Sequence, residues 1–257
     1  MKLAIMQPYF FPYIGYWQLI DAVDTFVLFD DAQYMRHGWV NRNRILKPGG
    51  GWQYILVPLK KHAATESIKN VQVHPDKQWK ELIIGQLAHY KKKARYFDEI
   101  NELVREILFS NTEKDIATIN FVIIKQLCAY LNIKKEILVS SKQDFNYADV
   151  GDAGEWALRI SEQIGATEYI NPSAGAGLFN PEKFSFSNIK LSFLKSHEIV
   201  YSQRGIFEPS LSIIDVLMFN GIEVTKQLLN NYSIEACIKK EMIKEEVQDA
   251  SSIYNGT

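Results

Sequence analysis

The chain has 257 residues, 29 basic and 30 acidic side chains and a formal charge of −1, which excludes a general polyanion binder while leaving room for a local basic groove. That length holds one large α/β domain or two small ones around a substantial core. Cys128 and Cys237 stand alone in segments of helical pattern, which suits a reducing cytoplasm and offers neither a disulfide framework nor metal-ligand spacing; the short apolar start is no signal peptide and no run approaches about 18 apolar residues, so a cytoplasmic protein is expected.

Leu3 to Met6 reads as a strand buried on both faces, stopped by Gln7-Pro8, where proline removes a donor and forces an extended exit. An aromatic, proline-rich loop follows (Tyr9, Phe10, Phe11, Pro12, Tyr13), and Gly15 leads into a helix through Trp17, Leu19 and Ile20. Thr25 to Phe29 is a second strand, ending in Asp30-Asp31. Strand, loop, helix, strand is a βαβ unit with its ligand crevice beyond the carboxyl ends of the strands. Gln7 to Tyr16 and Asp30 to Tyr34, Gln33 included, therefore share one rim.

The next segment packs Arg36, His37, Trp39, Asn41, Arg42, Asn43 and Arg44 into what reads as a loop, an anion or sugar clamp in which Arg offers a planar fork and Trp a stacking face. Lys47-Pro48-Gly49-Gly50-Gly51 lacks the spacing and trailing Lys-Ser/Thr of a phosphate loop, so it is read as a hairpin turn before a third strand, Trp52 to Pro58. Helical periodicity runs from Pro75 to Leu108 in two pieces separated by Lys91-Lys92-Lys93, and a third helix begins at Asn111 or Thr112 with Asp115 near its positive end. Glu136 to Val139 is a fourth strand, followed by Ser140-Ser141-Lys142; a helix closed by Gly165 leads to a fifth, Thr167 to Ile170, and its small-residue loop carries Asn171, Ser173 and Gly175. Ile189 to Leu194 is another strand, and a last helix after Pro209-Ser210 is expected to end at Gly221. The fold class is thus α/β, a Rossmann-like, mostly parallel sheet flanked by helices. We expect one domain over 1–235, a helical insertion at about 75–132 and a charged tail over 236–257.

If the four strands run parallel, they bring Gln7, Asp30 with Asp31, Ser140 to Lys142, and Asn171 with Ser173 to one sheet edge. There Asp31 or His37 is the candidate base and the Gln7 amide the candidate donor to an oxyanion. Tyr9, Phe11, Tyr13 and Tyr16 either stack a sugar or base or form the core under the loop. Arg42 and Arg44 are placed to grip a pyrophosphate. No His or further acidic residue is spaced with Asp30-Asp31 as a metal site requires, and no metal is assigned.

IMQPYFFPYIGYWQLI, FDDAQYMRHGWVNRNRI, YINPSAGAGLF and YSQRGIFEPSLSIIDVLMFNG, in that order, resemble the WbqC-like family over Met1 to about Gly221. The matching positions include Gln7, Phe11, Gly15, Tyr16, Asp30, Asp31, Gln33, Tyr34, Trp39, Asn41, Arg42, Gly175, Tyr201, Gln203 and Asp215; Asn171-Pro172 stands where many relatives have Ser-Gly. The resemblance implies an enzyme of bacterial O-antigen and other surface-polysaccharide biosynthesis, a glycyl or acyl transferase acting on a nucleotide-linked amino sugar. A transferase of this kind takes an activated acyl or aminoacyl donor rather than a resident cofactor; the basic run Lys91 to Lys93 is either a solvated face or a dock for an acidic acyl or aminoacyl carrier protein. A second, more distant similarity places Tyr13-Ile14-Gly15-Tyr16 where nucleotidylyltransferases and pantothenate synthetases carry His-x-Gly-His. Tyrosines there bring no positive charge, so the fold carries over better than the reaction. The remaining alternative is a non-catalytic sugar- or carrier-binding module.

Overall fold

The computed structural model describes residues 1–75, 78–148 and 150–237. The expected charged tail lies, from 238 onward, outside the described residues. In chain order the strands are β1 (Lys2–Met6), β2 (Thr25–Leu28), β3 (Arg42–Leu46), β4 (Trp52–Leu56), β5 (Glu136–Val139), β6 (Glu168–Pro172), β7 (Lys190–Ser196) and β8 (Tyr232–Ala236). The helices are α1 (Ile14–Ala22), α2 (Trp79–Leu87), α3 (Phe97–Ser110), α4 (Ile116–Tyr130), α5 (Glu155–Ile164), α6 (Pro181–Phe186) and α7 (Ile213–Leu229). Six strands form one sheet in the order β5-β2-β1-β6-β7-β8, parallel except for β8. This is the expected Rossmann-like architecture.

Both faces of the sheet are covered, which is why its strands read as continuous apolar runs. Along β1, Ala4 faces a large core built with α1 to α4, α7 and the β3-β4 hairpin, while Leu3 and Ile5 face a smaller core with α5 and α6. Phe26 and Val27 on β2, and Ile170 and Tyr169 on β6, divide in the same way, as strand alternation requires. The chain moves from β1 outward to β2 on one side and from β6 outward to β7 on the other. Neighbouring β1 and β6 therefore form the point where strand order reverses, and a crevice opens beyond their carboxyl ends.

Four elements differ from the sequence reading. The clamp segment is not all loop: from Arg42 it is β3, paired antiparallel with β4 through the turn where Gly49, Gly50 and Gly51 all take positive φ. The strand is hidden in the sequence because one of its inward positions is a polar residue, Asn43, which is almost fully buried. Gly221 does not end the last helix; at φ 67° and ψ −176° it kinks α7, which continues to Leu229. A Cβ there would lie 2.6 Å from the Tyr96 ring, so glycine satisfies both the backbone angle and the contact. Beyond it, β8 was not anticipated, an edge strand that alternates too weakly to be seen. At α4 the start shifts to Ile116, with the Asp115 carboxylate capping Thr118 N–H at 2.8 Å.

The first turn of α7 carries a buried carboxylate, Asp215, which accepts hydrogen bonds from Tyr90 (2.5 Å), Tyr201 (2.6 Å) and Gln203 (2.9 Å). Tyr90 also accepts from Leu46 N–H on β3, so one group ties the hairpin, α7 and the segment after β7 together. Burial drives the Asp215 carboxyl up to about 6, with the three donors pulling part of the way back. An unfolded aspartate titrates near about 4, so the folded chain binds the extra proton between the two values. The Asp215 contribution to stability should fall by roughly 3 kcal/mol as pH rises from about 4 to about 6 and then level off, against an opposite contribution from the carboxylates held low, Asp31 among them. Urea unfolding across that range should therefore show stability rising more steeply with pH in Asp215→Asn than in the native chain; identical pH profiles would contradict it.

Candidate functional site

The loop between β1 and α1 has an irregular backbone, yet Pro8, Phe10, Phe11 and Pro12 lie in or near the core, so its carbonyls need partners from side chains. Asn120 donates to Pro8 O (2.8 Å) and to Val40 O (2.7 Å). Asn43 donates to Phe10 O (3.0 Å) and Phe11 O (2.9 Å), and Ser212 Oγ reaches Phe11 O at 2.8 Å. The Trp17 indole and Ile213 N–H take Pro12 O, while Tyr16 OH takes Gln7 O at 2.9 Å. Phe11 is held at φ 41°, a conformation that a bulky residue keeps only when its surroundings impose it.

This framing sorts the aromatic candidates. Phe11 and Tyr16 are buried in the core and do not face a ligand. Tyr9 and Tyr13 are half-buried and line a cleft of about 770 Å³ that runs over the ends of β1 and β6. Gly15 is required beside Tyr13, because a Cβ would sit 2.6 Å from that ring. In the cleft are also Gln7, Asp31, Gln33, Trp39, Asn171 and Gly175. The Gln7 amide makes no side-chain hydrogen bond among the described residues, whereas Gln33 donates to Ala64 O at 2.8 Å. Asn171 donates to the buried Tyr169 hydroxyl at 2.7 Å, and Gly175 leaves room for its carbonyl oxygen, which a Cβ would approach to 2.7 Å. The smallness of that loop thus serves Asn171 as well as any ligand.

Asp30 and Asp31 part company. Asp30 is buried and accepts from Ser140 Oγ (2.9 Å), Ser141 N (3.0 Å) and Ser141 Oγ (2.6 Å), which clamps the end of β2 to the end of β5. Asp31 turns to the cleft, held by Lys69 Nζ at 2.7 Å and the Tyr147 hydroxyl at 2.9 Å. Burial pushes its carboxyl up, but hydrogen bonds from Lys69, Ser140 and Tyr147 outweigh that and hold it below the usual carboxylate range. It is a charged acceptor rather than a strong base. Burial raises the hydroxyls of Tyr9 and Tyr13, which therefore act as neutral donors.

Other candidates lie elsewhere. Tyr34 and Asn41 are a buried pair, hydrogen-bonded at 2.8 Å, with Asn41 donating on to Val57 O at 2.9 Å. Arg42 stacks 4.2 Å over Tyr54 and donates to the carbonyls of Gly38 and His37; Arg44 lies between Trp39 and Trp52 and donates to Ser210 O. Neither lines the cleft, so the expected pyrophosphate grip is not built there. His37 and Ser173 are exposed and also fall outside the lining. Sequence reading missed the opposite wall, formed by Phe29, Trp156, Leu178 and Phe179, with Tyr147 packed behind on Trp156 at 4.6 Å. Trp156 sits at ordinary helical spacing in α5, and such spacing cannot distinguish a core face from a cleft wall at the helix start.

The model of the WbqC-like protein family matches residues 7–227, a span that includes both walls of the cleft and the Asp215 network. The chain belongs to the WbqC-like family. A Mycobacterium tuberculosis relative, named uncharacterized protein Rv1507c, is 28% identical over 230 residues, covering 88% of this chain and 97% of its own. No solved structure matches the chain. Among the described residues of this WbqC-like chain, no helix is long and apolar enough to cross a membrane, and no three His, Cys, Asp or Glu side chains group as a metal site.

Removing the clamp on the aromatic loop should be costly. In Asn43→Ala the Phe10 carbonyl loses its donor while Phe11 O keeps only Ser212 Oγ, an expected loss of roughly 2 kcal/mol and a fall in unfolding midpoint of about 4–8 °C. A midpoint within a degree of the parent would show that the loop is held by other means.

Proposed function

We propose that this WbqC-like protein is a cytosolic transferase of bacterial surface-polysaccharide biosynthesis, placing an acyl or aminoacyl group on the amine of an amino sugar whose ring lies in the cleft between β1 and β6. The lining carries the proposal. Tyr9 and Trp39 on one side and Trp156 and Phe179 on the other offer apolar faces, Gln7 and Asn171 offer amides, and Asp31 is the one formal charge. Flat apolar faces with amide partners suit a sugar, whose ring has C–H faces and hydroxyl edges, and an ionised carboxylate suits an amine. None of the lining residues is Lys, Arg or His, which favours this reading over nucleotidylyl transfer inside the cleft. Tyr16, the second tyrosine of the His-x-Gly-His-like stretch, is buried against Gln7 O and has no access to phosphates. If the acceptor is nucleotide-linked, its pyrophosphate lies beyond this lining.

In the transfer, the neutral amine attacks the donor carbonyl, the new C–N bond forms, and the leaving group departs with its bonding electrons while the amine proton passes to solvent or to that group. Asp31 accepts an N–H and orients the nitrogen; its lowered basicity makes it a poor proton acceptor. The Gln7 amide is free to donate to the oxyanion.

Tryptophan fluorescence titrated with glucosamine, N-acetylglucosamine and ATP tests the reading. Glucosamine should bind, N-acetylglucosamine more weakly, and Asp31→Asn should weaken glucosamine about tenfold, equivalent to ~1.4 kcal/mol. With a competent donor, Gln7→Ala should lower kcat about 100-fold with little change in KM. Binding of ATP but of neither sugar would remove the proposal.

A further inference from the structure

A second cavity, of about 500 Å³, shares one residue with the cleft: Tyr13. Such a volume is in the range of small-molecule sites. It lies beyond the carboxyl end of β7, under the segment between β7 and α7 that contains Tyr201 and Gln203. That segment is firmly built. Gln203 is buried, accepts from Glu208 N–H at 2.7 Å and donates to Glu208 O at 3.1 Å, and Tyr201 is fixed to Asp215. Its end is tied to the aromatic loop, through Ser212 N–H to Arg44 O and Ile213 N–H to Pro12 O. A connection this long without regular structure is usually functional or disordered, and here it is anchored.

The lining divides by chemistry. Ile14, Leu211 and Val216 are buried at the floor, and Ile199 and Phe207 form half-buried walls. His197 and Glu198 are exposed, at the rim. The Tyr13 hydroxyl makes no hydrogen bond among the described residues and is the donor shared by both cavities. An apolar floor disfavours a charged ammonium, which loses its hydration there without a partner. An aliphatic chain ending in a carbonyl fits both parts: carbon against the floor, oxygen toward Tyr13.

We propose that this second cavity is the donor subsite and takes a neutral aliphatic acyl group in preference to an aminoacyl group, with Tyr13 as the wall between donor and acceptor. The inference rests on the transferase reading of the cleft, and it narrows that reading to acyl transfer.

Methyl and indole NMR of the full chain, titrated separately with butyramide, glycinamide and glucosamine, tests it. Butyramide should shift the methyls of Ile14, Leu211 and Val216, and glycinamide should do so at least tenfold more weakly. Ile199→Trp, which adds bulk at a half-buried wall, should weaken butyramide at least tenfold while leaving the glucosamine-induced indole shifts of Trp39 and Trp156 intact. Tyr13→Phe should weaken butyramide about three- to tenfold through loss of the hydroxyl donor. If Ile199→Trp fails to fold, Phe207→Ala, which removes the opposite wall, should give the same loss. Unmoved methyls beside normal indole shifts would overturn the subsite alone, as would equal shifts from glycinamide. Absent indole shifts would remove the cleft reading and the donor assignment with it.

Discussion

Side-chain capture of the carbonyls between Gln7 and Tyr13 is the constraint on which the rest of this structure depends. Two prolines and a positive φ at Phe11 give that loop no regular hydrogen-bonding pattern, yet it is buried between the hairpin, α4 and the start of α7. Unpaired buried carbonyls would cost more than a small protein can bear, so partners must come from outside the loop. They come from Asn43 on β3, Asn120 on α4, Trp17 on α1 and Ser212 before α7, four elements far apart in sequence. The consequence is functional. With Phe10 and Phe11 locked inward, Tyr9 and Tyr13 are left facing the crevice on a backbone held at several carbonyls.

A similar division of labour holds at the other strand ends. Asp30 spends its charge on joining β2 to β5, and that fixed turn presents Asp31 to the cleft with Lys69 and Tyr147 keeping it ionised. At β6, the Tyr169 hydroxyl positions Asn171, and Gly175 makes room for it. Asp31 and Asn171 are thus each held by a hydrogen-bonded neighbour, while the Gln7 amide is left free. Such support is what holds a site to a defined geometry.

Much of this was legible in the sequence. Strands β1, β2, β5 and β6 are short apolar runs, and placing their ends together already gathers Gln7, Asp31 and Asn171. What periodicity could not resolve was direction within an aromatic run. Tyr9, Phe10, Phe11 and Tyr13 are chemically alike, and only tertiary hydrogen bonds decide which of them point inward. Asn43 disguised β3 because a buried amide at an inward position looks like a loop residue when its carbonyl partners are unknown. Gly221 misled for a physical reason too, since the same positive φ that terminates many helices can equally kink one that is held on both sides by packing. Arg42 and Arg44 have the chemistry of an anion grip, but neighbouring aromatic rings and loop carbonyls occupy them. Trp156 shows the converse, a helix residue of ordinary spacing that becomes a binding wall because α5 begins at the crevice.

The most direct test of this account is a crystal structure of the protein with glucosamine. The account predicts the sugar ring between the Tyr9–Trp39 wall and the Trp156–Phe179 wall, its amine toward Asp31 and its hydroxyls within hydrogen-bond reach of Gln7 or Asn171. A sugar bound elsewhere, or one in the cleft with its amine turned away from Asp31, would contradict it.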